Sequence, residues 1–300
     1  NPANQSVIDN LKGLAANQDI KLAYVPGNHD MSINSSAIAE TKSFLEKTFP
    51  GIRYFCSNAE PLGSYNVGTL AAEHGDRYCL FNGPDLWAKP DTFLPLGYFI
   101  SRIVAYKVAQ NGKGQDPRQI LIKFLKQYMK HPNFIEDLVI AIAQDAGLST
   151  QDTIKMDGIP GYPALMTVEE IGKLFKNLPK NWEQASNHIN LAMAIMGDLE
   201  NLHIAAQSTY FSTLHPTIDI VIFGHTHIPL LVKNRINPSD ENPASPCRNI
   251  YANSGTWVDQ GKNCTYVETE EVPENRQHYV RVKSYQKGKI AIIDEGYVLM

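Results

Sequence analysis

Two histidines at alternate positions, His225 and His227, follow directly on a strongly apolar run. The run, residues 218–223, is mostly β-branched and predicts a strand buried on both faces. Gly224 ends this strand, so we expect the imidazoles at the carboxyl edge of a sheet, where open α/β folds place their sites. Imidazoles at this spacing can bind one metal ion or two neighbouring ions. The alternative is a pair of solvated loop histidines.

Two further predicted strands end in the same kinds of side chain. Residues 21–25 predict a short strand that Pro26-Gly27 ends, and Asn28-His29-Asp30 follows. Residues 69–73 predict a third strand, which runs into His74-Gly75-Asp76. Imidazole, amide and carboxylate groups form a mixture of ligands that suits Mn, Fe or Zn. The sequence therefore predicts one site built from three separate turns.

These turns carry a resemblance to a known family. The chain resembles calcineurin-like metallophosphoesterases in four stretches that stand in the order of that family: Gly27-Asn28-His29-Asp30, His74-Gly75-Asp76, Gly224-His225-Thr226-His227, and Asn253-Ser254-Gly255-Thr256-Trp257. The resemblance covers roughly residues 1–80 and 215–300. It implies an α/β/β/α sandwich for these two parts of the chain.

The first two motifs in the sequence order of this family, D-x-H and G-D-x-x-D, do not occur before Gly27. In the family, two strands carry these motifs ahead of the strand predicted here at residues 21–25. A predicted helix at residues 4–14 directly precedes that strand instead. We therefore expect this sequence to be the later part of a longer chain. The alternative is a homologue that lacks three ligands and serves as a non-catalytic scaffold.

The resemblance implies a dinuclear site for two divalent metal ions, Mn, Fe or Zn. Asn28, His74 and His225 would bind one ion, and His227 would bind the other. The remaining ligands, two aspartates and one histidine, would come from the two motifs that are absent here. One of these aspartates would bridge both ions.

Three neighbours of these ligands have other implied roles. In the resembled family, the histidine equivalent to His29 acts as a general acid or contacts the phosphate. Asp30 would hold the His29 imidazole in its charged form, because a nearby carboxylate raises a histidine pKa. The alternative for His29 is a simple turn residue. Asp76 would stabilise its own loop, or it would orient a metal ligand by a hydrogen bond to the side of that ligand that faces away from the ion.

The implied reaction is hydrolysis of a phosphomonoester, a phosphodiester or a pyrophosphate bond by a hydroxide that two metal ions activate. Within the family, the isolated H-G-D followed by a helical insertion loosely resembles UDP-diacylglucosamine pyrophosphohydrolases, although the insertion here is longer. A nuclease or a cyclic-nucleotide phosphodiesterase is a second enzymatic alternative. The non-catalytic scaffold is the alternative from a different class.

Alternating strand and helix patterns predict an α/β fold for residues 1–80 and 215–300. Residues 81–214 form a predicted helical cap inserted before the last site motif, where substrate choice would reside. Helices are predicted from Asp116-Pro117 to Lys130, over 133–146, from the capping box Thr167-x-x-Glu170 to Leu178, and over 187–210 with a break near Gly197.

The cap combines an apolar stretch, residues 93–108, with several basic residues between 102 and 130. Such a segment can lie on an anionic membrane surface or receive a lipid-linked phosphate. The expected partners are thus a phosphorylated small molecule or a lipid-linked substrate, with peripheral membrane contact through the cap. The alternative is a helix that packs its apolar face on the core. The stretch is too short and too charged to span a bilayer.

The composition is that of a globular protein, with 43% hydrophobic and 19% charged residues among 300. A net charge of −4 argues against nucleic-acid binding, which favours a basic surface. The four cysteines are far apart and lack the spacing of a zinc ribbon. We favour the cytoplasm, and the alternative is an exported protein with one or two disulfides.

Overall fold

The computed structural model describes residues 5–30, 35–55, 63–83, 94–109, 131, 133–156, 159, 161–184, 190–198, 201–212, 217–240, 242, 245–257 and 263–300. The predicted helix from Asp116 to Lys130 lies outside these residues. The described chain mixes helices and strands, which confirms the predicted α/β class.

The helices are α1 (Gln5–Ala16), α2 (Ser35–Thr48), α3 (Leu96–Ala109), α4 (Phe134–Asp145), α5 (Val168–Leu174), α6 (Leu178–Gln184), α7 (Leu191–Asp198) and α8 (Leu202–Thr209). The strands are β1 (Ala23–Tyr24), β2 (Arg53–Tyr54), β3 (Ser64–Val67), β4 (Leu70–Glu73), β5 (Thr153–Lys155), β6 (Leu165–Thr167), β7 (Ile220–Phe223), β8 (Pro229–Arg235), β9 (Cys247–Ser254), β10 (Cys264–Val272), β11 (Gln277–Gln286) and β12 (Lys289–Leu299). Short 3-10 turns lie at Asp76–Tyr78 and Pro273–Asn275.

Eight strands form one curled, mixed sheet in the order β10-β11-β12-β9-β7-β4-β3, and β8 pairs with β9 outside this path. The central strands β4, β7 and β9 are parallel, with Leu70 opposite Ile220 and Ile220 opposite Ile250. The carboxyl ends of these three strands therefore lie at one edge of the sheet. β1 and β2 form a separate parallel pair, and β5 and β6 form a hairpin.

The central strands bury both of their faces, which explains their continuous apolar runs. On one face, Val221, Phe223 and Tyr251 share a hydrophobic core with side chains from α3 to α8. On the other face, Ile220 and Ile250 pack with buried valines of β11 and β12. The helical segment is therefore a layer that packs directly on the sheet.

The capping box of α5 is present as predicted. The Thr167 hydroxyl accepts a hydrogen bond from the Glu170 N–H at 3.1 Å, and the Thr167 N–H donates to the Glu170 carboxylate at 2.7 Å. The predicted end of this helix at Leu178 is wrong, because α5 ends at Leu174. Pro179 explains the break: it has no N–H to continue a helix, but it fits the first turn of a new one, α6.

Within residues 81–214, the predicted break near Gly197 in the helix over 187–210 is confirmed, because the described residues form two helices, α7, which ends at Asp198, and α8, which begins at Leu202. The segment also contains the β5–β6 hairpin, which was not predicted. Strands of three residues are too short to show an alternating pattern.

The apolar stretch at residues 93–108 lies mostly in α3. Leu96, Phe99 and Ile103 are fully buried in the core, and the Arg102 guanidinium donates to the main-chain oxygen of Lys155 at 2.7 Å. The described part of this stretch thus packs on the core. This agrees with the alternative interpretation, a helix that packs its apolar face on the core. Within the described residues, no helix is both long and apolar enough to cross a membrane. Membrane contact through residues beyond 109 stays a prediction.

Candidate metal centre

Side chains from three of the predicted turns meet at one edge of the sheet. The Nε2 atom of His74 lies 3.1 Å from Oδ1 of Asn28 and 3.3 Å from Nδ1 of His225. The His74 and His225 rings meet edge to face, with centroids 5.2 Å apart. His74 directly follows β4 and His225 follows β7, so the parallel pairing of these strands brings the two rings together.

The atoms of this trio suit a shared metal ion better than mutual hydrogen bonds. Nε2 of His74 carries at most one hydrogen, so it cannot donate fully to both Asn28 and His225. Ligands that bind one ion at about 2.0–2.2 Å lie about 3 Å apart, depending on the angle at the ion. The observed 3.1 and 3.3 Å separations match that spacing. An amide oxygen with two imidazoles suits Mn, Fe or Zn.

Asn28 supplies the third donor of the trio. Among the described residues, no group of three His, Cys, Asp or Glu side chains is placed to hold a metal ion. A single ion would therefore use an amide oxygen here. The Asn28 amide nitrogen donates to Oδ1 of Asn82 at 3.3 Å, which leaves its oxygen facing His74. Asn82 was missed from the sequence, because it lies in a loop outside every motif.

His74 is fixed by its surroundings and is held neutral. A Cβ atom on Gly27 would lie only 2.5 Å from Cδ2 of the His74 ring, so the glycine backbone packs directly against this ring. Burial lowers the pKa of His74, Asp30 opposes this shift, and the nearby His29 and His227 add to it, with a net pKa of about 4. At neutral pH the imidazole is thus uncharged, which is the form that binds a metal ion.

The turn after β7 has an unusual backbone. His225 and His227 have φ angles of 66° and 60°, in the left-handed region that residues other than glycine rarely adopt. Such conformations cluster at functional sites, where the surrounding structure enforces them. Here the buried Asn253 donates from its amide to the main-chain oxygen of Gly224 at 2.5 Å. Asn253 belongs to the fourth stretch of the family resemblance and holds this turn in place.

Asp30 stabilises the first turn. Its carboxylate accepts hydrogen bonds from the Tyr24 hydroxyl and from the Gly27 N–H, the latter at 2.5 Å. No hydrogen bond joins Asp30 to His29 among the described residues, so the role of Asp30 as the partner of His29 stays a prediction. His29 itself is exposed to solvent. Tyr24 was missed from the sequence, because a tyrosine in a strand gives no sign of where its hydroxyl points.

Two buried carboxyl groups flank His74. Glu73 accepts hydrogen bonds from the Tyr78 and Tyr210 hydroxyls and forms an ion pair with Arg77 at 2.8 Å. Asp76 is 1% exposed, and burial raises its pKa to about 8. Its Oδ2 atom has no hydrogen-bond partner among the described residues. The predicted bracing role of Asp76 is compatible with this position and stays a prediction.

The site thus combines an amide oxygen and two imidazoles with an exposed histidine, His29. His227 is half-buried and lies close enough to act on the pKa of His74. No model of a known protein family and no curated protein sequence matches this chain.

Proposed function

We propose that this protein is a metal-dependent phosphoesterase of the calcineurin-like metallophosphoesterase type. The convergence of Asn28, His74 and His225, at 3.1 and 3.3 Å around one nitrogen, carries the proposal. Each residue comes from a separate motif, and the motifs stand in the order of that family. Three motifs that lie far apart in the sequence would not be expected to meet at one sheet edge by chance.

The proposal extends to the fold, for which we infer an α/β/β/α sandwich. In its support, the sheet is curled and both faces of its central strands are covered. Helices α3 to α8 pack on one face, and β11 and β12 contribute to the core on the other. Residues 81–214 would then be both a helical layer of the sandwich and the cap that selects the substrate.

Asn28, His74 and His225 would hold one divalent ion, and His227 would hold a second ion together with ligands from outside the described residues. When bound, the two ions neutralise phosphate oxygens and lower the pKa of bound water. The trio supplies no formal negative charge, because its donors are one amide and two imidazoles. A carboxylate ligand from elsewhere would therefore be needed to balance the positive charge of the ions.

The side chains around the ions have separate tasks. His29 is exposed beside the trio, where its imidazolium can donate a proton to the leaving oxygen. Asp30 fixes the turn that carries Asn28 and His29 through its hydrogen bonds with Gly27 and Tyr24. The substrate would be a phosphorylated small molecule or a lipid-linked phosphate.

The test combines metal analysis with hydrolysis assays. Protein purified without a chelator should contain about two transition-metal ions if all ligands are present. It should hydrolyse p-nitrophenyl phosphate, its bis-ester or a nucleoside diphosphate sugar, which separate the three bond types. Asn28→Ala and His225→Ala should each lower metal content and activity together. His131→Ala, at an exposed histidine of the helical layer, is the matched control.

Each outcome points to one interpretation. Full activity in Asn28→Ala or His225→Ala would contradict the site. One bound ion or none, without turnover of any of the three substrates, would favour the non-catalytic scaffold instead. Loss of metal in the His131→Ala control would show that metal content reports folding rather than ligation.

A further inference from the structure

A cationic groove lies at the far end of β8 from the candidate metal centre. It is bounded by the end of α8, by β8 and the loop after it, and by the start of β9, and its volume is about 830 Å³. At about 3.3 Å per residue, the seven residues of β8 separate it from the His227 turn by roughly 20 Å. The groove is thus a separate site.

The lining of the groove is positively charged. Lys233, Arg235 and Arg248 line it, with one acidic residue, Asp240. The Lys233 ammonium forms an ion pair with Asp294 at 2.8 Å, so the two arginines supply the positive charge of the lining. The Asp240 carboxylate already accepts hydrogen bonds from the Ser245 hydroxyl at 2.5 Å and from the Asn242 N–H at 2.9 Å. These hydrogen bonds lower the pKa of the Asp240 carboxyl, and the charge of Arg235 lowers it further, so Asp240 partly offsets Arg235. The positive charge that no carboxylate of the lining offsets is therefore that of Arg248.

The strand geometry places Arg248 at the groove. Asn234 pairs with Asn249 and Arg235 pairs with Cys247, so the ladder skips Arg248 and leaves it as the extra residue of a β-bulge. Bulges commonly redirect a side chain at a functional site. Arg235 donates to the main-chain oxygen of Asp240. Among the described residues, no hydrogen bond or ion pair engages the exposed Arg248 guanidinium.

The remaining lining can contact an uncharged part of a ligand. The Gln207 amide donates to Asn234 at 3.4 Å, and the Asn234 amide donates to Asn249 at 2.5 Å, which forms a row of amides beside the arginines. Phe211 supplies an aromatic wall next to this row. Amides donate and accept hydrogen bonds, and an aromatic ring can stack on a planar group. Inorganic anions need none of these contacts.

We propose that this groove binds a small organic phosphate of the nucleotide class. Its phosphate lies between Arg235 and Arg248, whose planar guanidinium groups suit two phosphate oxygens at once. Its sugar and base lie along the amide row and against Phe211. The inference does not depend on the metal centre or on the phosphoesterase activity.

The test is titration calorimetry of the full 300-residue chain with AMP, adenosine, inorganic phosphate and citrate. A chelator is present throughout, so that hydrolysis at the candidate metal centre contributes nothing to the heat. AMP should bind at least roughly tenfold more tightly than adenosine or phosphate, because it alone makes both sets of contacts. Arg248→Gln should weaken AMP binding by roughly tenfold or more.

Lys289→Gln is the matched control, because it also removes one exposed positive charge. Lys289 lies at one end of β12, whereas Val298, near the other end, pairs with Cys247 of β9 beside the groove. The Lys289→Gln variant should bind AMP as the unchanged chain does. Equal AMP binding by Arg248→Gln and the unchanged chain would overturn the proposal, and so would the absence of AMP binding. Citrate or phosphate binding as tightly as AMP would overturn the nucleotide class. Because Arg248 is exposed, its replacement should leave the thermal unfolding temperature unchanged.

Discussion

Gly27→Ala is the sharpest test of the candidate metal centre, because it displaces the proposed ligand His74 without substituting that residue. The new Cβ atom would lie 2.5 Å from Cδ2, 2.6 Å from Cγ and 2.7 Å from Nε2 of His74. Carbon atoms in contact are normally about 3.5–4.0 Å apart, so the His74 ring or the turn must move by about 1 Å. The backbone at Gly27 does not have a positive φ, so the steric contact alone accounts for the effect.

A shift of this size should reduce both binding and catalysis. His74 is the member of the trio that lies next to both Asn28 and His225, so moving it disturbs both the 3.1 and the 3.3 Å separations. We expect metal affinity to fall by about 10–100-fold, as for other changes that misplace a ligand. Overpacking should also lower the free energy of unfolding by about 1–3 kcal/mol.

The assay is competition for Mn²⁺ or Zn²⁺ with a chelating dye, together with denaturation in urea. Gly224→Ala is the matched control at the turn that carries His225. Its Cβ would lie 3.4 Å from the Ser254 hydroxyl oxygen and 3.6 Å from Nδ1 of His74, which is ordinary contact. It should bind metal nearly as the unchanged protein does. Equal affinity in Gly27→Ala and Gly224→Ala would refute the assigned role of His74.

Three further predictions concern catalysis, pH and the buried carboxylate. His29→Ala should keep its metal content but lose about 10²–10⁴-fold in hydrolysis rate, and loss of metal in this variant would make His29 a ligand. Burial lowers the pKa of His278 below 6.5, so its stabilising contribution is complete above about pH 6.5 and is lost as the pH falls through its folded pKa. In urea denaturation, the free energy of unfolding of His278→Gln should therefore fall less between pH 7.5 and pH 5 than that of the unchanged protein. An equal fall in both proteins would contradict this. Glu73→Gln should lower the free energy of unfolding by roughly 3 kcal/mol, because it removes the partner of Arg77. Tyr210→Phe removes one hydrogen bond and should lower it by about 1 kcal/mol, and equal losses in these two variants would show that the charge of Glu73 contributes nothing.

The residues of the trio could be predicted from the sequence because each follows a strand that ends locally. An apolar run followed by glycine and a polar side chain indicates a position at a sheet edge, whatever the rest of the chain does. The supporting contacts of Asn82 and Tyr24 could not be predicted, because these two residues themselves belong to no motif. Such contacts become visible only when the strands and loops are placed in space.

The strand β8 shows why some elements of the fold escaped prediction. Its sequence, residues 229–235, begins with proline and ends in Lys-Asn-Arg, so only three apolar residues mark it. It becomes a strand because it pairs along β9, from Pro229 opposite Ser254 to Arg235 opposite Cys247. Tertiary pairing thus decides its conformation, as it often does for β structure. The opposite case is Pro179, where a local rule ends a helix that the apolar pattern would have continued.

The helical layer also supports the candidate metal centre from within the core. Tyr210, just after α8, donates to Glu73, the residue directly before His74. On the other side of His74, a Cβ atom on Gly75 would lie 3.0 Å from a methyl carbon of Leu202 in α8. The helix α8 is therefore in close contact with the turn that follows His74. A change in α8 should therefore shift the His74 backbone. Variants at Leu202 or Tyr210 should thus change metal affinity, which a helical layer without contact to this turn would not do.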